Sequence, residues 1–294
     1  MQTASTYSLN IGGKLLELAE PQVMGILNVT PDSFYADSRQ QTEQDIAERA
    51  MQIVREGASI IDVGACSTRP GAQLVGEEEE LERLRTALRI VRQVEPDALL
   101  SVDTFRANVV DRIANDFGSF IVNDVSGGTD PGMFPLVARL GLPYILTHNP
   151  SHSVSYDAIQ SHSVSYAAIE SQPTPPLLPS LLHYLSERID RLLELGQKDI
   201  ILDPGFGFGK TLQENYQLLA QLDVLHTFGL PILVGVSRKS MVYRLLDITP
   251  EDALNGTTML HTLSLERGAK ILRVHDVGTA MQVIKIMAEI NHKS

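Results

Sequence analysis

The sequence predicts a single α/β domain over residues 1–294 that folds as a (β/α)8 barrel. Eight short runs rich in Ile, Leu and Val recur along the chain, each nearly continuous in apolar character, as in parallel strands buried on both faces. Amphipathic segments separate them, and several end at a Gly, as helices with a glycine C-cap do. Eight such units suit a barrel whose typical size is about 250 residues. An open doubly wound sheet shows the same alternation and stays the alternative fold.

The predicted elements begin with a short hairpin within residues 1–20, in which YSLN and KLLEL flank a turn at Gly12-Gly13. Helices are predicted over 42–57 and 77–94 and over about 176–196. The eight predicted strands cover residues 23–29, 59–65, 98–103, 120–125, 143–148, 199–204, 231–237 and 270–276.

A long connection over residues 149–175 follows the fifth predicted strand. It contains a tandem duplication, SHSVSYDAIQ (151–160) and SHSVSYAAIE (161–170), and then a proline-rich stretch that delays the next helix. We interpret the repeat as a duplicated surface loop. A metal site at its histidines is disfavoured, because no carboxylate or Cys lies at ligand spacing.

Composition limits the partners that the chain can have. Its 24 Lys and Arg against 36 Asp and Glu give a net charge of −12, and such a field repels nucleic acid and anionic membranes. The single Cys66 excludes an intramolecular disulfide. The first twenty residues lack the pattern of a signal peptide, and no apolar run approaches the length of a membrane span. We therefore expect a soluble cytoplasmic protein that binds neither nucleic acid nor membrane.

Hydrogen-bonding side chains stand at the carboxyl end of every predicted strand, where barrels of this kind place their active sites. Any single Asp or Asn in such a place could instead be a capping or turn residue. The positions, in chain order, are Asn28, Ser67, Thr68, Arg69, Asp103, Asn123, Asp124, His148, Asn149, Asp203, Arg238, Lys239, Arg273, His275 and Asp276.

Two subsites follow from the chemistry of these groups. Asp103, Asn123 and Asp203 suit a ligand that displays several N–H donors, such as a heteroaromatic ring with an amidine-like edge. A salt bridge from the aspartates to Lys239 is the structural alternative. Arg273 and His275 are two residues apart on the last strand, so they share a face, and they lie where such barrels commonly bind phosphate.

Two loops contain further candidate ligand contacts. GFGFGK (205–210) matches neither the dinucleotide-binding nor the Walker pattern, which disfavours those two functions. We interpret its glycines as allowing the backbone to pass close to a flat ligand, with Phe206 or Phe208 as a wall of the pocket. In SRKS, Ser237 is predicted to cap a helix that begins near Arg238. Lys239 and the Ser240 N–H would then lie at the positive end of that helix, which suits a carboxylate or carbonyl oxygen.

Seven motifs in order make the sequence resemble the dihydropteroate synthase family over nearly its whole length. They are GILNVTPDSF (25–34), IDVGACSTRPGA (61–72), SVDT (101–104), IVNDVSGG (121–128), LDPGFGFGK (202–210), LVGVSRKS (233–240) and RVHDV (273–277). The resemblance implies a TIM barrel, a homodimer, sensitivity to sulfonamides and a need for Mg²⁺. It also implies a reaction in which 6-hydroxymethyl-7,8-dihydropterin pyrophosphate and 4-aminobenzoate give 7,8-dihydropteroate and pyrophosphate.

The resemblance also implies a role for each matching residue. Catalysis would rest on Asp103, Lys239, Arg273 and His275, with Asn28 as the metal ligand. Three sets of binding residues are implied: Asp103, Asn123, Asp203 and Lys239 for the pterin; Asn28, Arg273 and His275 for pyrophosphate with Mg²⁺; and Thr68, Arg69, Pro70, Phe208 and Ser240 for aminobenzoate.

The sequence departs from the family pattern at two places. YADSRQ follows the first motif where the family usually has Ser-Asp-Gly-Gly, and Thr147-His148 ends the fifth strand where Met-His is common. The second departure alters one wall of the expected pterin pocket.

Two other functions are considered. Methyltetrahydrofolate methyltransferases also hold a pterin in a barrel, but they release no pyrophosphate and so have no need for the STRPG and RVHD motifs. A pterin-binding paralogue without catalysis is disfavoured, because the expected site residues are intact: Asp103, Asp203, Lys239, Arg273 and His275.

Overall fold

The structure is a computed structural model that describes residues 7–29, 39–66, 75–150 and 176–291. Its main sheet contains eight parallel strands, and each strand except the edge strands pairs with two neighbours. The strands are β3 (Gln22–Asn28), β4 (Ile60–Gly64), β5 (Leu99–Asp103), β6 (Ile121–Asp124), β7 (Tyr144–Thr147), β8 (Ile200–Asp203), β9 (Leu233–Val234) and β10 (Ile271–Val274).

The sheet closes on itself. Its edge strands are β8 and β9, and a parallel bridge from Leu202 to Ile232 joins them. The Leu202 N–H also donates to the Pro231 carbonyl at 2.9 Å. The predicted barrel is thus confirmed, and the open sheet is excluded.

Helices cover the outside of the barrel, as the alternating pattern predicts. They are α1 (Arg39–Arg55), α2 (Glu77–Val94), α3 (Ala107–Phe117), α4 (Met133–Leu140), α5 (Leu177–Glu194), α6 (Leu212–Ala220), α7 (Ser240–Leu246), α8 (Leu254–Glu266) and α9 (Val277–Asn291), with a 3₁₀ helix over Leu222–Phe228. The prediction for α2 matches its bounds, and α5 begins at Leu177, within one residue of the predicted start, with Pro179 in its first turn. None of the described helices is long and apolar enough to cross a membrane.

The hairpin closes the amino end of the barrel. β1 (Ser8–Ile11) and β2 (Lys14–Glu17) pair antiparallel, as predicted, and Gly12 and Gly13 between them have φ of 60° and 90°, which a type I′ turn requires. Apolar hairpin side chains pack against the first inward residues of the barrel strands. We call this cluster the barrel floor; its buried members are Leu9, Ile11, Leu16, Leu18, Met24, Ile60, Ile121, Ile145, Ile201, Leu233 and Ile271.

Candidate active site

Inward positions above the floor change from apolar to polar. Because side chains on one face of a strand recur every second residue, Asp203 faces the interior two places after Ile201. The same count places polar or small residues inward on the other strands. They are Asn28, Asp62, Gly64, Ser101, Asp103, Asn123, Thr147, Gly235, Ser237, Arg273 and His275.

Arg273 links two carboxylates in what we call the charged centre, formed by Asp62, Asp103, Asn123 and Arg273. The Arg273 Nε donates to Asp62 Oδ2 at 2.7 Å, and its Nη2 donates to Asp103 Oδ2 at 2.7 Å. Asn123 Nδ2 donates to Asp62 Oδ2 at 3.2 Å. Asp62 is fully buried, whereas 18% of the Arg273 side chain is exposed. The exposed part lies at the opening of the barrel at the carboxyl ends of its strands, which we call the mouth. Asp62 therefore anchors a guanidinium that a ligand can reach.

Burial and charge act in opposite directions on this centre. Burial raises the pKa of Asp103 to about 7, although the nearby Arg273 opposes the shift. Burial alone would lower the pKa of Arg273, but the carboxylates of Asp62 and Asp103 outweigh it and hold that pKa above its ordinary value. The guanidinium therefore stays charged, and a cationic ligand would favour the ionised form of Asp103.

Lys239 and Asp203 belong to the part of the mouth beside Arg273, because Lys239 follows β9, the neighbour of β10, and Asp203 ends β8, which the bridge joins to β9. Lys239 Nζ donates to the Phe206 carbonyl at 2.6 Å and lies 4.8 Å from the centre of the Phe208 ring. Burial lowers the pKa of Lys239 to about 8, against the effect of Asp203. The predicted alternative, a salt bridge from the aspartates to Lys239, is wrong for the described residues, because Asp103 pairs with Arg273 instead.

Lys210 shapes the loop between β8 and α6. Its ammonium donates to the carbonyls of His148 at 3.1 Å, Gly205 at 2.8 Å and Phe208 at 3.2 Å. Gly205 has φ of 71°, and a Cβ there would lie 2.0 Å from the His148 carbonyl oxygen. Phe206 is fully buried and Phe208 is half-buried, so Phe208 is the aromatic wall that the site can use.

Ser237 holds His275 rather than capping a helix. The His275 N–H donates to Ser237 Oγ at 3.2 Å, and the ring Nδ1 lies 3.2 Å from the same oxygen. The predicted cap is wrong: α7 begins at Ser240, and Lys239 occupies its N-cap position. Arg238 turns away from the mouth, with its Nε donating to Asp276 at 2.8 Å.

Asn28 lies exposed at the end of β3, and the absence of a side chain at Gly64 leaves space between it and Asp103. A Cβ at Gly64 would lie 3.5 Å from Asn28 Oδ1 and 3.3 Å from Asp103 Cβ. No group of three His, Cys, Asp or Glu residues that could hold a metal occurs among the described residues. A single amide oxygen nevertheless fits Mg²⁺, which usually takes few protein ligands and completes its shell with substrate phosphates and water.

Some predicted site residues lie elsewhere. Ser67, Thr68, Arg69 and Pro70, as well as residues 35–38 of the YADSRQ segment and the duplicated residues 151–170, are outside the described residues. Asp124 faces outward and accepts from Tyr144 OH at 2.8 Å. His148 also faces outward, edge-on to Tyr184, and burial lowers its pKa to about 3.

The strand-end prediction missed Asp62 and Lys210. Asp62 lies one inward position below the end of β4, so a search confined to strand ends passes over it. Its signal was present: a lone carboxylate interrupts the apolar run SIIDVGA. Burial also raises the pKa of the Cys66 thiol, which agrees with the sequence argument against a catalytic cysteine.

Comparison with known proteins supports a single family. The model of the pterin-binding enzymes matches residues 24–275. The dihydropteroate synthase of Escherichia coli K12 is 38% identical over 94% of this chain and 93% of its own length, and that of Bacillus subtilis 168 is 36% identical over 92% and 89%. A structure of Xanthomonas albilineans dihydropteroate synthase with 4-aminobenzoic acid superposes with a TM-score of 0.84 at 35% identity, covering 98% of this chain and 99% of that one. A Yersinia pestis dihydropteroate synthase in a sulfonamide drug complex gives a TM-score of 0.82 at 38% identity, covering 97% and 100%.

The closed barrel, its charged mouth and the match over most of its length define a pterin-binding barrel enzyme. More narrowly, the chain belongs to the dihydropteroate synthase family of transferases. The methyltransferase and the non-catalytic paralogue receive no support from these relatives, all of which are named as the synthase.

Proposed function

We propose that the mouth of this barrel joins 6-hydroxymethyl-7,8-dihydropterin pyrophosphate to 4-aminobenzoate and releases pyrophosphate. The observation that carries the proposal is the charged centre, in which one reachable guanidinium lies between two carboxylates, close enough to Asp203 and Lys239 to interact with their charges. This arrangement has acceptors for a ring rich in N–H groups and a cation for its anionic substituent.

The pterin ring would lie between Asn123 and Asp203. One oxygen of Asp203 accepts from the Gly205 N–H at 2.7 Å, which fixes the carboxylate and leaves its other oxygen for a ring N–H. The aniline nitrogen forms a bond to the methylene carbon while the bond from that carbon to the pyrophosphate oxygen breaks. The nitrogen then loses one proton, which passes to the released pyrophosphate or to solvent. Positive charge develops on the ring as the bond breaks, and the buried carboxylates of Asp62 and Asp103 stabilise it.

The leaving group would be held by Arg273 and His275. A guanidinium has five N–H donors, so Arg273 can hold both carboxylates and still donate to a phosphate oxygen. Ser237 fixes the His275 ring at the same edge. Asn28 would hold Mg²⁺, which when bound neutralises charge on the phosphate oxygens.

The aminobenzoate would lie above Phe208, with its carboxylate towards Lys239 and the Ser240 N–H. Lys239 occupies the N-cap of α7, and Ser240 is its first residue. Thr68, Arg69 and Pro70 are proposed to complete this pocket. Because this ligand site resembles the one implied for the family, aryl sulfonamides should compete with aminobenzoate.

The direct test is pyrophosphate release by the purified protein. We expect release only when both substrates and Mg²⁺ are present. Release that does not need 4-aminobenzoate would indicate hydrolysis of the pterin substrate instead, and no release under any of these conditions would overturn the proposal.

We also propose that the chain works as a homodimer through α8 and α9, which pack against each other. Both helices carry exposed apolar residues at i, i+4 spacing: Met259 and Leu263 on α8, and Ile286 and Ile290 on α9. Such a surface commonly marks an interface. Sedimentation should show that Ile290→Glu produces monomers, while Leu15→Glu, which alters an exposed apolar residue on the hairpin, leaves the dimer intact.

The cytoplasmic location of the protein stays a prediction from its sequence.

A further inference from the structure

Thr147 occupies a central place in the mouth. It ends β7, the strand between β6, which carries Asn123, and β8, which carries Asp203. Thr147 is the register partner of Asp203. Ile145, two residues earlier on the same face, belongs to the barrel floor, so the Thr147 side chain points into the barrel.

The Thr147 hydroxyl has no partner within the described part of the chain. The residue is fully buried, and its Oγ1 makes no hydrogen bond there. Its carbonyl oxygen, in contrast, accepts from Tyr184 OH at 3.3 Å. Buried hydroxyls are normally paired, because an unpaired one loses its bonds to water without replacement.

Ser101 has a similarly unpaired and fully buried hydroxyl. Its register partner on β4 is Asp62, which belongs to the charged centre, whereas the register partner of Thr147 is Asp203. A ring that contacts both Asn123 and Asp203 must cross the inner face of β7, and Thr147 is the polar side chain on that face.

We propose that Thr147 determines specificity for the pterin ring, because its hydroxyl forms a hydrogen bond with the polar edge held by Asn123 and Asp203. The inference rests on the proposed function. Asp203 can only accept hydrogen bonds when ionised, whereas a hydroxyl can also donate. Thr147 therefore recognises an acceptor atom of the ring, beside the donors that Asp203 recognises.

The test compares Thr147→Val with Thr147→Ser by titration calorimetry. Val keeps the branched shape and removes the hydroxyl, and Ser keeps the hydroxyl. The ligands are the pterin pyrophosphate substrate with Mg²⁺ and, separately, inorganic pyrophosphate with Mg²⁺. We expect Thr147→Val to weaken pterin binding about tenfold, Thr147→Ser to stay within about threefold of wild type, and neither to alter pyrophosphate binding, in line with the loss of one hydrogen bond.

Thermal melting provides a second, independent readout. Because the hydroxyl has no partner in the described structure, Thr147→Val should melt at the wild-type temperature or above it. The matched control is Thr257→Val, since Thr257 Oγ1 is also buried but accepts from the Arg238 N–H at 3.0 Å. This control should melt at a lower temperature. Should Thr147→Val fold poorly, Thr147→Ala is the alternative deletion.

The outcomes distinguish a failure of the proposed function from a failure of the role assigned to Thr147. If the wild-type chain does not bind the pterin substrate, the proposed function itself fails. If the wild type binds it and Thr147→Val binds it equally well, or if Ser does not preserve affinity, only the role of Thr147 is overturned. A lower melting temperature for Thr147→Val would show a structural partner and would also overturn it.

Discussion

The two ends of the barrel differ although the same strands build both. At the floor, inward residues are aliphatic and hairpin side chains cover them. At the mouth, one or two pleats further along, the inward residues carry carboxylates, amides and cations. On β8 the change occurs between Ile201 and Asp203, within a single inward step.

The floor contributes mainly to the stability of the fold, and the mouth contributes mainly to binding and turnover. The floor gains stability from apolar burial, which depends on the area removed from water and on close packing. The mouth buries charges, which costs free energy that a bound ligand can recover. Substitutions at the floor should therefore affect unfolding, and those at the mouth should affect binding and turnover.

Arg273→Ala should have the largest effect on function. Losing this preorganised cation should reduce transition-state stabilisation by about 2–4 kcal/mol, the size seen when one electrostatic donor is removed. Steady-state kinetics with both substrates saturating measures the change. Near-wild-type turnover would contradict the assignment of Arg273 to the leaving group.

Arg106→Ala is the matched control for Arg273→Ala. Arg106 forms an ion pair with the buried Glu80, and its side chain is 13% exposed, close to the value for Arg273. Its loss should lower the melting temperature without comparable loss of turnover, because Arg106 is not among the residues proposed to touch either substrate.

A smaller effect should appear in stability below neutral pH. Burial lowers the pKa of His261 to about 4, and both ring nitrogens lack a partner within the described residues. The unfolded chain, with an ordinary histidine pKa near 6.5, takes up the proton first as the pH falls. Stability should therefore decrease from about pH 6.5 towards pH 4, with a loss from this residue of about 2 kcal/mol at pH 5.

Denaturant unfolding of His261→Met between pH 7 and pH 5 measures this contribution. The variant should lose less stability over this range than the wild type, although His148, with a pKa of about 3, adds a similar dependence in both proteins. His183→Met, at an exposed position on α5, serves as the control and should retain the wild-type slope. An unchanged slope in His261→Met would contradict the assignment.

The smallest effect is expected from deletion of residues 161–170, one copy of the duplicated sequence. The cost of closing a loop grows only logarithmically with its length, so the change in stability should be a few tenths of a kcal/mol. Melting temperature and turnover should both stay close to wild type. A large loss of activity would show that the second copy takes part in the site.

The sequence predicts the repeating elements better than the contacts between them. Strand runs and helix periods are local, and the hairpin follows from Gly12-Gly13, so these predictions are confirmed. Asn123 and Asp203 reach the mouth because strand ends meet there. The pairing of Arg273 with Asp62 joins residues 211 positions apart, and no local pattern specifies it.

Side-chain partners near the strand ends also depend on the closed barrel. The sequence predicts that Ser237 caps a helix, but closure of the barrel brings His275 beside it, and the Ser237 hydroxyl accepts from the His275 N–H. The sequence also allows a salt bridge from the aspartates to Lys239, but the loop after β8 brings the Phe206 carbonyl to the Lys239 ammonium. Both differences arise from neighbours that are distant in sequence.

The separation of the two ends is tested most directly on β8, by measuring unfolding and pterin binding for Ile201→Ala and Asp203→Asn. Ile201→Ala should lower the free energy of unfolding by about 2–5 kcal/mol and leave the affinity of the folded protein unchanged. Asp203→Asn should melt like the wild type, because its amide oxygen can still accept from Gly205, and should lose pterin affinity, because an N–H donor replaces the second oxygen. Wild-type affinity in Asp203→Asn, or weakened binding by folded Ile201→Ala, would contradict the account.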